Sequence, residues 1–318
     1  MRLTPNTMTI TVRPFKWDND FDLVRAFLIE TSRLTDEWLN WLPSMFENIK
    51  FGPCGSGERA DQEDELIRIW EECDDSKGLA HSKIVAVTHF SQSLFWIQIH
   101  PSYRLLEAEI IPYMESWRKE TMTKSDAPEI HFVVPVTNRA RIALLTKLGY
   151  EDTGLSEYNR RRPVNMPIPE CALPEGFAIR HVDVERDFVN YKEVMTAVFP
   201  HCGCMTERMA NIYASAQFYH PDLDIVVVAP TGRFAALMTV RIDPVSRLAE
   251  LEPVGTHPDY RGRGLAKCMI LEGLRRSRKY KPREICIMGA APTEAANALY
   301  ESVGFTDKTA VHDWCKEL

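Results

Sequence analysis

His257-Pro258-Asp259-Tyr260-Arg261-Gly262-Arg263-Gly264-Leu265-Ala266 is the stretch on which the reading of this chain turns. Before it, Arg247–Thr256 reads as a strand; after it, Lys267–Lys279 reads as a helix. Two glycines between a strand and a helix let the backbone come close to a ligand. Consecutive N–H groups at a helix start then form a cradle for an anion. Arg261, Arg263 and Lys267 add positive charge, so a phosphate or pyrophosphate is the expected guest.

With 318 residues the chain is comfortable for two domains, and 45% hydrophobic with 26% charged residues supplies real cores. The net charge of −7 gives no footprint for nucleic acid or an anionic membrane. No secretory leader and no apolar run of membrane-spanning length is visible. The eight cysteines are scattered, so reduced thiols in a cytoplasmic protein are expected. Cys202 and Cys204 beside His201 read as loop chemistry rather than a metal site, and no metal is expected.

Along the chain, alternation over Thr9–Arg13 predicts a strand, followed by helices near Phe21–Ser32 and Asp36–Ile49. Glu58–Asp75 reads as an acidic helix with a solvated face. Strands at Ile84–Phe90 and Leu94–His100, a helix at Leu105–Lys119, a strand at Glu129–Pro135 and a helix at Thr137–Leu148 follow. Arg161–Pro174, with four prolines, reads as a linker. The pattern then restarts, giving an expected division into 1–160, a linker 161–174, and 175–318.

The two halves repeat one plan. His100-Pro101-Ser102-Tyr103-Arg104 echoes His257-Pro258-Asp259-Tyr260-Arg261, and Leu148-Gly149-Tyr150 echoes Val303-Gly304-Phe305. Nearly constant offsets (157 residues from His100 to His257, 155 from Gly149 to Gly304) indicate an internal duplication. The copies differ where the chemistry would lie. After Tyr103-Arg104 the first copy has Leu105, Leu106 and Glu107 where the second has Gly262, Arg263 and Gly264. Side chains there block backbone approach, and Glu107 is expected to repel a phosphate.

These residues resemble the GCN5-related N-acetyltransferase (GNAT) family over both halves, as a tandem member with an intact C-terminal copy and a degenerate N-terminal one. The strand ending at Thr256-His257-Pro258, the turn Arg261–Ala266, and Leu299-Tyr300-Glu301-Ser302-Val303-Gly304-Phe305 carry the resemblance. It implies an α/β fold of two GNAT-like domains, each a mixed, mostly antiparallel sheet flanked by helices. It also implies that Val254, Gly255 and Thr256 hold the pantetheine arm of acetyl-CoA as an added strand. The pyrophosphate would lie on Arg261, Gly262, Arg263, Gly264, Leu265, Ala266 and Lys267. Tyr300 would be the general acid that protonates the leaving CoA thiolate; the first copy has Leu145 at the matched position. The family often places an Asn seven residues before this Tyr. Here that position is Thr293, with Asn297 on the same helix face as a stand-in.

The expected base for the amine's proton is Glu250 or Glu252, which alternate with Leu251 and so share one strand face; the alternative is that one or both pair with Arg241 or Arg247. Pro253 cannot donate to a ladder, which predicts a bulge at that point. Neighbouring carboxylates raise each other's pKa, which suits a base working near neutral pH. Phe199, His201, Met205, Tyr213 and Trp314 are candidates to line the acceptor pocket. The reading is an acetyl-CoA-dependent N-acetyltransferase acting on a primary amine of a small molecule by direct attack. The alternatives are a protein or peptide N-acetyltransferase and a non-catalytic acyl-CoA-binding sensor. A monomer with an internal pseudo-dimer is expected, without nucleic-acid or membrane partners.

Overall fold

In the computed structural model, residues 8–34, 41–52, 66–74, 82–91, 93–123 and 127–318 are described. The elements run β1 (Met8–Pro14), α1 (Trp17–Leu34), α2 (Pro43–Phe51), β2 (Ile67–Asp74), β3 (Ser82–Ser91) and β4 (Leu94–Ile99). A 3-10 turn at Pro101–Leu106 leads into α3 (Glu107–Thr121), β5 (Glu129–Pro135), α4 (Arg139–Lys147) and β6 (Glu151–Arg162). Then come β7 (Ala178–His181), α5 (Val184–Val198), α6 (Glu207–Tyr213), β8 (Asp224–Val228), β9 (Phe234–Ile242) and β10 (Leu248–Thr256). The chain ends with α7 (Leu265–Ser277), β11 (Glu284–Ala290), α8 (Glu294–Ser302) and β12 (Asp307–Glu317). No described helix is long and apolar enough to cross a membrane.

Two compact units result. One comprises Met1–Pro43, Ala60–Leu155 and Val311–Leu318; the other comprises Ser44–Arg59 and Ser156–Ala310. These are not the two sequence copies end to end. Arg161 and Arg162, expected in a linker, belong to β6, and residues 163–177 carry no helix or strand. The first unit pairs β1, β2, β3 and β4 antiparallel in succession, then β4 with β5 parallel. The second does the same with β7, β8, β9 and β10, then β10 with β11 parallel. In each unit the fifth strand takes an antiparallel neighbour from the other copy's sequence. Thus β5 pairs with Val311–Glu317 of β12, and β11 pairs with Tyr158–Arg162 of β6.

The duplication is visible in matching ion pairs. Arg13 clasps Asp20, whose Oδ2 also accepts from Lys16 N at 2.9 Å. Arg180 clasps Asp187, whose Oδ2 accepts from Asp183 N at 2.9 Å. Each carboxylate so placed satisfies an N–H at the start of a helix. In the second unit every residue of β9 is buried, and α7 lies over it through Gly273. A Cβ on Gly273 would stand 2.3 Å from Met238 Cε and 3.1 Å from Val240 Cγ2.

Two further expectations fail. Of the expected helix Glu58–Asp75, residues 58–65 lie outside the described ones, and Ile67–Asp74 is strand β2, paired on both edges. Buried Ile67 and Ile69 flank half-buried Arg68, a period of two that the carboxylate run obscured. The cysteines are not all reduced thiols: Cys171 and Cys268, 97 residues apart, form a disulfide, and Cys202 is disulfide-bonded as well. The fold brings the Cα atoms of Cys171 and Cys268 to 5.1 Å, a proximity that sequence spacing does not reveal.

Gly273→Val forces β-branched volume between α7 and β9 and should cost about 1–3 kcal/mol. Urea unfolding should show a lower midpoint with an unchanged slope; an unchanged midpoint would contradict this packing.

Candidate active site

On one edge β10 pairs with β9, Leu251 opposite Val240 and Val254 opposite Met238, so Glu252 and Pro253 together face Thr239. This is the bulge that Pro253 predicts. On the other edge the parallel ladder with β11 runs from Leu248 to Glu250, opposite Glu284 to Cys286. Past that point Val254, Gly255 and Thr256 pair with Met238, Leu237 and Ala236 of β9. Among the described residues, none of β11 pairs with them. Their second edge is therefore a row of main-chain groups without a strand partner. Gly255 lies under α5: a Cβ there would meet Val198 Cγ1 at 2.4 Å.

β10 leads into the glycine turn. His257 Nδ1 accepts from Asp259 N at 3.2 Å and so caps the short turn Pro258–Tyr260. Gly262 and Gly264 have φ of +74° and +75°, the left-handed region that disfavours any side chain. A Cβ on either would meet nothing within 4 Å, so the space outside both is clear for a ligand. Gly264 is the N-cap of α7 and supplies no side-chain cap, which leaves the first N–H groups of that helix, through Lys267, open to an anion. Arg261 Nε donates to Thr256 O at 3.3 Å, and Arg263 Nη2 to Asp259 O at 3.4 Å.

The first copy has the same corner and a different turn after it. His100 Nδ1 accepts from Ser102 N at 3.2 Å, as His257 does from Asp259. Leu106 and Glu107, however, are right-handed helical. Glu107 does not stand free to repel a phosphate; it is buried and ion-paired with Arg141 of α4. Arg104 Nη2 donates to Asn138 Oδ1 at 2.5 Å. Leu145, matched to Tyr300, is wholly buried in that unit's core.

The two candidate carboxylates sit in different surroundings. Glu250 is buried, accepts a 2.7 Å hydrogen bond from Ser44 Oγ of α2 and lies 3.8 Å from Arg241 Nη1. Burial opposes the charge of Arg241, but Tyr213, Glu250 and Glu252 outweigh it and raise its pKa. Asn48 Oδ1 accepts from Arg241 Nη2 at 2.9 Å, and Tyr213 Oη accepts from its Nε at 3.2 Å. Glu252 is half-buried. Burial pushes its carboxyl up to about 7; the charge of Glu250 adds to the rise and Arg241 opposes it. The buried phenol of Tyr300 is pushed up to about 12, by burial first and then by Glu252, against Arg160.

Arg160, with its guanidinium 5.9 Å from the Tyr300 ring centre, donates to Phe305 O at 2.9 Å and to Asn297 Oδ1. Asn297 is thus held by a buried cation, and Thr293 caps α8 by accepting from Ala296 N at 3.2 Å. Of the pocket candidates, Tyr213 and Met205 are fully buried, Phe199 is half-buried and His201 is exposed. Trp314 belongs to the core of the first unit, opposite Phe132 in the β5–β12 register. Sequence reading missed Ser44 and Arg160. It also missed Glu157, whose carboxyl burial pushes up and whose Oε2 would lie 3.2 Å from a Cβ on Gly289. The pairing of Glu250 with Arg241 is one that the sequence offered.

Residues 192–305 match the model of the acetyltransferase (GNAT) family. A mycothiol acetyltransferase of Streptomyces coelicolor is 27% identical over 160 residues, 48% of this chain and 52% of that protein. One of Pseudarthrobacter chlorophenolicus is 22% identical over 265 residues, 79% of this chain and 80% of its own. The chain thus spans about half the length of the first of these relatives. Among solved structures, a GCN5-related N-acetyltransferase from Sphaerobacter thermophilus aligns with a TM-score of 0.65 at 16% identity, covering 99% and 97% of the chains. A tandem GNAT protein from the clavulanic acid biosynthesis pathway aligns at 0.66 and 13%, covering 97% and 98%. At these identities the likeness is one of fold: helices flanking a mixed, mostly antiparallel sheet.

Because the folded-state pKa of Glu252 lies above its usual 4.5, at about 7, the folded state holds a proton that the unfolded chain releases between those values. Stability should therefore fall as pH rises through that window, by up to roughly 3 kcal/mol. Glu252→Gln should flatten the fall. Denaturant midpoints at pH 5 and pH 8 test this, and equal slopes for both proteins would refute it.

Proposed function

We propose that this chain, whose residues 192–305 belong to the acetyltransferase (GNAT) family, moves the acetyl group of acetyl-CoA to a primary amine of a small molecule, with the C-terminal copy active. One observation carries the reading. Glu252, pushed up to about 7 at the bulge that opens Val254–Thr256, can take a proton near neutrality, while Tyr300, pushed up to about 12, keeps one to give. A site that only binds acyl-CoA has no use for such a pair.

The co-substrate's pyrophosphate is held by the N–H groups of the Gly262–Lys267 turn and by Arg261 and Arg263, and its pantetheine arm adds to Val254–Thr256 as a strand would. Glu252, ionised above about pH 7, takes a proton from the bound ammonium. The free amine attacks the thioester carbonyl, whose developing negative charge is met by main-chain N–H near Val254. As the carbon–sulfur bond breaks, Tyr300 gives its proton to the thiolate, Arg160 offsets the charge left on the phenolate, and the phenolate recovers a proton from the nitrogen of the new amide. Glu250, engaged by Ser44 and Arg241, fixes the local charge rather than moving a proton. Thr293 and Asn297 support the cofactor side through the start of α8.

A small acceptor is favoured over a peptide because α2 caps this face of the site, through Ser44 on Glu250 and Asn48 on Arg241. The named relatives make mycothiol-type amines the first acceptors to try.

Gly264→Glu should abolish acetyl-CoA binding by calorimetry, whereas Tyr300→Phe should retain binding and lower kcat about 10²–10⁴-fold. Normal acetyl-CoA binding by Gly264→Glu would overturn the site. In a panel of amines and peptides scored by CoA release, kcat/KM should rise through about pH 7. Glu252→Gln should remove that limb. Turnover of peptides alone would replace the small-acceptor reading.

A further inference from the structure

We propose that Glu129, His131 and Cys315, on adjacent strands of the first unit, form a divalent transition-metal site, with zinc as the best fit. Glu129 and His131 are two apart on β5 and so share a face. Cys315 stands directly opposite His131 in the β5–β12 register. One ligand atom from each of the three lies within 4.8 Å of the other two. His131 Nε2 is 3.6 Å from Cys315 Sγ and 3.3 Å from Glu129 Oε2. Bonds of about 2.0–2.1 Å to nitrogen, 2.3 Å to sulfur and 2.0–2.2 Å to oxygen in a tetrahedron give edges of about 3.3–3.6 Å. Both separations from His131 Nε2 are those that a shared ion would set.

A second observation concerns orientation. His131 Nδ1 lies 3.0 Å from Asp313 Oδ2, and that oxygen accepts from Thr153 Oγ1 at 2.8 Å. A carboxylate on Nδ1 fixes the proton there and turns the Nε2 lone pair toward Cys315 and Glu129. This carboxylate–histidine arrangement behind a metal ligand is the usual outer support of a zinc site. Sulfur, imidazole and carboxylate together match zinc, with a fourth position for water. The role that follows is structural: the ion would tie β12 to β5. All of its residues lie in the first unit, and the acetyl transfer proposed above requires none of them.

The test uses the full chain, stripped with a chelator and titrated with Co²⁺ and then Zn²⁺. Expected are one Co²⁺ per chain with thiolate-to-cobalt charge-transfer absorption, displacement by Zn²⁺, and a Zn²⁺-dependent rise in thermal midpoint. Cys315→Ser should lose the band and the rise. Glu129→Gln, a mild change at an exposed position, should weaken Co²⁺ binding at least about tenfold. Asp313→Asn should keep the band and weaken binding about 10–100-fold. No thiolate band in the unmodified protein, or a band that survives Cys315→Ser, would overturn the proposal. In that event the three side chains form a hydrogen-bonded cluster only.

Discussion

Pro253 has no N–H to place in a ladder, and the second unit depends on where that defect falls. Glu252 and Pro253 together oppose Thr239. Beyond them, Val254–Thr256 keep their pairing to β9 while the edge toward β11 carries no ladder. Main-chain polar groups left without partners in a protein interior are costly, so such an edge persists only where water or a ligand satisfies it. Interrupted pairing is thus also a recognition surface. The α7 N-terminus begins eight residues after Thr256, at Gly264, so the open edge and the anion cradle follow each other along one continuous backbone.

Charge separates the two carboxylates. Arg241 and Ser44 engage Glu250, leaving Glu252 with burial and a like charge beside it. A single buried cation therefore yields one carboxylate with partners and one whose proton is exchangeable near neutrality. Environment rather than residue type sets these roles. Tyr300 follows the same logic from the opposite direction, since the apolar surroundings that lift Glu252 also keep the phenol protonated.

Local signals in the sequence carried the bulge, the corner and the glycine turn. The histidine corner, the two positive-φ glycines and the proline bulge each follow from backbone chemistry within a few residues. What escaped was long-range. Ser44 reaches Glu250 across 206 residues, and Arg160 meets Asn297 across 137. The Cys171–Cys268 bond and the placement of Trp314 depend equally on tertiary pairing. The Ile67–Asp74 strand was lost for a different reason: a run of carboxylates read as a solvated helix outweighed a short period of two.

The strand exchange has a consequence for biosynthesis. β5 ends at Pro135, yet its antiparallel neighbour begins at Val311, 176 residues later (311 − 135). Throughout translation of the intervening chain, the first unit carries an open sheet edge that can template pairing with other chains. Vectorial synthesis thus completes the first unit only after the second copy has been made, so a ribosome stalled anywhere in that copy leaves the first unit, not only the unfinished one, without a strand.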